Sequence, residues 1–201
     1  MWLGALERRL LERILAPPPK LLFRDRQLER ALELIEDGAS FVVYGSVGTG
    51  KTTLALTAAR GLEGIVYASC ASARTYSALR SKLLKRATYY VVDDYTMAVR
   101  EPRLKGLMRS LEPKAVIVYP PVEAYEELEG LEKIEMQPYT LEELEDICRE
   151  RAARLALAVD DEDVRAAAKA GFEHGGNARV ALIVLAERTA ANLQNYAAWR
   201  S

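Results

Sequence analysis

Eight residues in the first third of the chain combine glycine, lysine and hydroxyl side chains at a spacing suited to holding an anion: Gly45-Ser46-Val47-Gly48-Thr49-Gly50-Lys51-Thr52. Glycines there let successive backbone N–H groups turn inward around phosphate oxygens, and a helix starting at Thr53 would add its positive N-terminus. Lys51 has the reach for β and γ oxygens, and Thr52 offers a hydroxyl to Mg²⁺. The pattern carries this chemistry only between a strand and a helix, and both flanks fit: Phe41 to Tyr44 is an apolar run and Thr53 to Arg60 is helical in character. The implied ligand is a nucleotide, ATP or ADP with magnesium, contacted by residues Gly45 to Thr53. Such a site also needs a carboxylate on a neighbouring strand. Tyr90-Val91-Val92-Asp93-Asp94 supplies one. Asp93 is assigned to the metal beside Thr52, and Asp94 stands where a second acid can orient an attacking water; capping of the following turn is the alternative for both.

The elements that must position these residues can be read from the apolar pattern. Phe41–Tyr44, Ile65–Ala68, Tyr89–Val92 and Ala115–Val118 read as buried strands, and Leu131–Met136 as a weaker fifth. Helical segments separate them, so the expectation is an α/β fold with a five-stranded parallel sheet built by right-handed crossovers. Upstream, Leu3, Leu6, Leu10, Ile14 and Leu15 fall at helical spacing until Pro17, Pro18 and Pro19 stop the helix. A second amphipathic helix fits 24–37, with Gly38 as its stop. From Thr140 the strand signal disappears and helices fit 140–157, 160–171 and 177–195. Thr140 and Glu143 form a capping box, and Asn177 is a cap for the last helix. The expected organisation is an N-terminal helix and proline-rich linker over 1–19, a nucleotide-binding body over 20–137 and a C-terminal helical lid over 138–201.

Composition narrows the function classes. With 28 basic and 29 acidic side chains the net charge is −1, against a broad electrostatic grip on nucleic acid. Two cysteines, Cys70 and Cys148, and one histidine, His174, leave little for metal centres or a Ser-His-Asp triad, and the cysteines read as ordinary thiols. No apolar stretch is long enough to span a membrane and no signal-peptide pattern opens the chain, so the expected location is cytoplasmic. Arginine outnumbers lysine 20 to 8 and Asn plus Gln total six, as in heat-adapted proteins or those from GC-rich genomes. Two basic clusters, Arg80, Lys82, Lys85 and Arg86, then Arg100, Arg103, Lys105 and Arg109, read as solvated helix faces. The N-terminal helix, which bears Trp2, has a stripe to bury on the body or on a partner.

With a P-loop, an acid-ended strand and a helical lid in order, the chain resembles the AAA+ class of P-loop NTPases. Further motifs narrow the resemblance to archaeal replication initiators of the origin-recognition and cell-division-cycle family. Phe23-Arg24-Asp25-Arg26-Gln27-Leu28 is similar to the box preceding their P-loop, and Val66-Tyr67-Ala68-Ser69-Cys70 to their second strand. Gln137-Pro138-Tyr139-Thr140-Leu141 resembles the Pro-Tyr box opening the lid, and Gly175-Gly176-Asn177-Ala178-Arg179-Val180-Ala181-Leu182 the start of the third lid helix. The likeness spans about 20–195. It implies that Arg179 is the sensor 2 arginine reading the γ-phosphate, for which a planar guanidinium is suited; a surface arginine is the alternative. It also implies that Phe23 and Arg24 lie beside the adenine, and that Tyr139 and Ile147 either wall the base or fill the core between body and lid.

The departures from that family bear on turnover. Where it places a polar sensor, usually asparagine, on the fourth strand, this chain runs Val118-Tyr119-Pro120-Pro121, and sensor 1 is expected to be missing. Asp94 replaces a glutamate one methylene longer. Where an arginine finger is expected, Glu129-Gly130-Leu131-Glu132-Lys133-Ile134 holds only Lys133 as a cation. The stretch from Ala71 to Ala87 has room for one helix rather than a DNA-contacting insertion, and the chain ends where a winged-helix domain would follow. The expected activity is therefore ATP binding with slow or partner-dependent hydrolysis coupled to lid movement, with Lys51, Asp94 and Arg179 carrying the chemistry. The alternative is a non-hydrolysing ATP/ADP module that regulates a partner in replication or repair. Expected partners are another AAA+ subunit or a replication protein, with DNA contacted weakly or indirectly.

Overall fold

The structure, a computed structural model, describes residues 2–73, 75–97 and 101–200. Arg100 of the second basic cluster lies outside them, as do the side chains of residues 2–7 and 196–200, Trp2, Leu3 and Leu6 among them. In chain order the elements are α1 (Trp2–Leu15), α2 (Asp25–Glu36), β1 (Phe41–Tyr44), α3 (Lys51–Ala58), β2 (Ile65–Ser69), α4 (Tyr76–Leu83), β3 (Tyr89–Asp93), α5 (Pro102–Ser110), β4 (Lys114–Val118), β5 (Glu132–Glu135), α6 (Leu141–Leu155), α7 (Asp161–Glu173) and α8 (Ala178–Arg200). They form two compact units, residues 23–46 with 50–137, and residues 1–22 with 47–49 and 138–201.

The first unit is a five-stranded sheet, parallel throughout, in the order β2-β3-β4-β1-β5. β3 and β4 are buried along their whole length, which explains why they read as unbroken apolar runs. β5 buries only Ile134, as befits an edge. Pairing brings Ala68, Val92, Val116 and Val42 into one row across four strands, every one of them fully buried. Burying a valine-sized side chain contributes about 1.5–3 kcal/mol, so this row fixes the register strongly. That register brings the C-terminal ends of β1, β3 and β4 to one edge, the place where open α/β sheets bind ligands. The carboxylate strand, expected from sequence to stand next to β1, does not: β4 lies between β1 and β3.

In the second unit, Leu144, Ile147, Cys148, Val164, Ala167, Ala181 and Leu185 pack together between α6, α7 and α8. The Thr140–Glu143 capping box is formed in both directions. A second one, Asp160 with Asp163, starts α7. Asn177 caps α8, its Oδ1 accepting from the N–H groups of Arg179 at 3.0 Å and Val180 at 3.2 Å. The last helix runs to residue 200, five beyond the expected end. The N-terminal helix belongs to this unit: Ile14 is fully buried in its helical core, with Leu10 and Leu11 against it, and α1 lies on α8. Buried Arg151 of α6 donates Nη1 to the carbonyls of Ile14 and of Ala16, the latter at 2.9 Å. These are C-terminal carbonyls of α1 that the helix itself leaves open.

Candidate functional site

Phosphate-loop geometry begins at Gly45, directly after β1. Its φ is +149°, and a Cβ there would run into the backbone oxygen of Met136, so only glycine fits. Lys51 opens α3, is 6% exposed, and donates Nζ to the carbonyls of Gly45 at 2.7 Å and Ser46 at 2.6 Å. A buried ammonium is tolerable only with such partners. Within the second unit, Gly48 accepts at its carbonyl from the N–H of Ala178 at 3.2 Å, and a Cβ on it would overlap the Asn177 side chain.

Thr52 follows Lys51 on α3 and donates its hydroxyl to the Asp93 carboxylate, 3.2 and 3.0 Å from the two oxygens. Asp93 ends β3 and is 4% exposed. It also accepts from the Tyr67 hydroxyl at 2.8 Å and from the N–H of Asp94 at 2.9 Å. Burial pushes the Asp93 carboxyl above its ordinary range and the charge of Asp94 adds to this, while the bonds from Tyr67, Thr52 and the Asp94 N–H pull the other way. Burial, then the bond to Asp93, pushes the Tyr67 phenol far up, so it remains a donor.

Asp94 has φ +52°, a left-handed conformation that aspartate tolerates better than most residues. Its Oδ2 accepts from Ser69 at 3.3 Å and its Oδ1 from the Tyr119 hydroxyl at 3.2 Å. The ring of Tyr119 in turn carries the Lys51 ammonium 4.3 Å from its centroid. The fourth strand thus does deliver a polar group to the loop and acid pair, through a tyrosine hydroxyl rather than an asparagine. Tyr67, Ser69 and Tyr119 carry no site role in the sequence reading, although Tyr119 stands where the resembled family places its polar sensor and each sits at or near the C-terminal end of an apolar run.

Each of the remaining candidates has its own surroundings within its unit. Arg24 is 4% exposed and donates to the carbonyls of Phe23 at 2.9 Å and Gln137 at 2.7 Å, while Phe23 is half-exposed with φ +58°. Tyr139 and Ile147 are buried in the core of the helical unit. Arg179 is exposed, and its guanidinium makes no hydrogen bond or ion pair among the described residues. Lys133 is exposed on β5, and His174 bonds through Nδ1 to the Ala170 carbonyl at 2.8 Å. Burial pushes both cysteine thiols up to about 12, as ordinary unreactive thiols require. Among the described residues there is no group of three or more His, Cys, Asp or Glu side chains placed to hold a metal ion.

No family model and no curated protein matches this sequence. Solved structures do. The Aeropyrum pernix ORC1 protein, solved in complex with DNA, superposes with a TM-score of 0.74 over 92% of this chain at 21% identity. The fold is that of an AAA+ P-loop NTPase. The Aeropyrum pernix ORC2 protein, solved as ADPNP–ADP complexes, matches 89% of the chain with a TM-score of 0.63 at 18% identity. The Thermotoga maritima RuvB Holliday junction branch migration motor matches 78% with a TM-score of 0.57 at 22% identity. The chain spans 64% of the length of each ORC protein and 57% of RuvB. The resemblance to archaeal initiators stated from the motifs therefore extends to the fold.

Proposed function

We propose that this chain binds ATP or ADP with magnesium at the loop Gly45–Thr53 and hydrolyses ATP slowly or with a partner's help. The observation that carries the reading is the Thr52 hydroxyl meeting the Asp93 carboxylate at 3.0 Å, the two coming from separate elements at the ligand-binding edge of the sheet. The donor set suits magnesium: one hydroxyl and one carboxylate are all oxygen, and a hard cation that keeps several waters and takes phosphate oxygens needs few protein ligands. Bound there, Mg²⁺ would neutralise charge on the phosphates. Backbone N–H groups of the loop bind those phosphates, Lys51 reaches the terminal ones, and Asp94 orients the attacking water. Phe23 and Arg24, and Tyr139 with Ile147, belong to the base-binding side of this proposal. Arg179 is the proposed sensor of the terminal phosphate. A cation in the first turn of a helix works against the helix dipole, and Arg179 occupies such a position in α8, where a phosphate would offset that cost.

A titration with fluorescent ADP, with and without Mg²⁺, tests the site. The gain in affinity that magnesium gives the native chain should fall about tenfold in Thr52→Val, which keeps the shape and removes the hydroxyl. An undiminished magnesium effect would contradict the assignment of Thr52 and Asp93. In the larger role, another AAA+ subunit or a replication protein supplies an arginine where this chain offers only Lys133.

A further inference from the structure

We propose that Tyr119 is the positioning residue for hydrolysis, acting through Asp94, and this rests on the nucleotide site proposed above. Three observations carry it. The Tyr119 hydroxyl donates to Asp94 Oδ1 at 3.2 Å, so with Ser69 on Oδ2 both oxygens of that carboxylate are fixed, one from each side. The same ring holds the Lys51 ammonium 4.3 Å from its centroid, so one side chain spans the phosphate-binding lysine and the water-orienting acid. Finally, the Tyr119 peptide is gripped at both ends by a closed circuit. Its N–H donates to Thr96 Oγ1 at 2.9 Å, the Thr96 hydroxyl meets the Tyr125 oxygen at 2.7 Å, and the Tyr125 hydroxyl donates back to the Tyr119 carbonyl at 2.9 Å. Tyr125 is itself buried, its ring 6.0 Å from that of Tyr95.

A surface tyrosine needs no such support. A residue that sets the direction of a carboxylate does, because a misplacement near 1 Å can lower a rate about 100-fold. The need is greatest here, since Asp94 is one methylene shorter than glutamate. In the reaction served, the water oxygen bonds to the γ-phosphorus while its hydrogen bond to Asp94 fixes its approach. The bond from that phosphorus to the β–γ bridging oxygen breaks, the electron pair stays on ADP, and the proton leaves on the inorganic phosphate.

The test compares native chain, Tyr119→Phe, Asp94→Asn and the double variant by fluorescent-ADP affinity, melting temperature and single-turnover ATP hydrolysis at excess protein. Tyr119→Phe keeps the ring under Lys51, so ADP affinity should stay within about twofold while the single-turnover rate falls about tenfold or more. In the Asp94→Asn background the same change should slow the reaction no further, because Tyr119 acts through Asp94. Native-like turnover in Tyr119→Phe overturns the proposal, as does additive slowing in the double variant, or a joint loss of affinity and melting temperature. A native chain that binds nucleotide without any turnover overturns the positioning role and leaves nucleotide binding standing. One that binds no nucleotide removes both.

Discussion

Lys51, Thr52 and Asp93 are each buried or half-buried polar groups, and each has a partner: loop carbonyls for Lys51, the Asp93 carboxylate for Thr52, and the Thr52 and Tyr67 hydroxyls for Asp93. That density of satisfied polarity at a sheet edge is costly to assemble and is found where charge must be handled. The backbone shares in it. Gly45→Ala places a methyl group against the Met136 carbonyl in a φ region that alanine disfavours, and is expected to lower stability by about 1–3 kcal/mol in urea unfolding, with loss of nucleotide affinity. Gly61→Ala, with open space around it and no positive φ, should change stability by no more than about 0.5 kcal/mol. Equal effects would show that the close approach at Gly45 is unimportant. At this scale the loop and the Asp93–Asp94 pair were legible because their meaning lies in local spacing. Tyr67, Ser69 and Tyr119 were not, since which strands lie side by side is decided by register across the sheet rather than by alternation along it.

Two helix ends in the second unit make separate predictions. Arg151 donates to the C-terminal carbonyls of α1 from a buried position, so Arg151→Met should leave those acceptors without a partner and destabilise the helical unit by about 1–3 kcal/mol. Urea unfolding followed by circular dichroism would show this, and an unchanged midpoint would contradict it. Asp163 accepts from Arg188 at 2.7 Å and from Asn192 at 2.8 Å, and caps α7 with Asp160. Burial alone would raise its carboxyl, but those bonds outweigh it and hold the carboxyl below its ordinary range. A depressed carboxyl contributes stability that is fully present above its unfolded value of about 3.9 and is lost as the pH falls through the folded value. Asp163→Asn should therefore lower stability at neutral pH and flatten the acid limb below about pH 4; a parallel acid limb would contradict it. The capping boxes and proline stop were readable in sequence because they are local. The destination of α1 was not, because an apolar stripe says that a face is buried without saying against what.

For the whole molecule, the match to the fold of ORC1 extends over 92% of the chain, although only 21% of residues are identical. The order of motifs was enough to anticipate the fold. The strand order was not, since β4 inserts between the phosphate-loop strand and the acid strand after both have passed in sequence. Charge is unevenly distributed: residues 74 to 109 hold nine Arg and Lys against three Asp and Glu, in a chain whose net charge is −1. Duplex DNA binding at physiological salt is therefore expected in the micromolar range or weaker, about that of non-specific contacts, and should decline steeply with added salt. Nanomolar affinity, measured by anisotropy, would assign the basic segment a direct role. The most direct measurement is nucleotide itself: release and identification of any nucleotide carried by the purified protein, followed by Mg·ATP binding and turnover beside Lys51→Ala. ATP or ADP bound by the native chain and lost on removing the lysine is the expected result; equal binding by both, or by neither, would contradict a working nucleotide site.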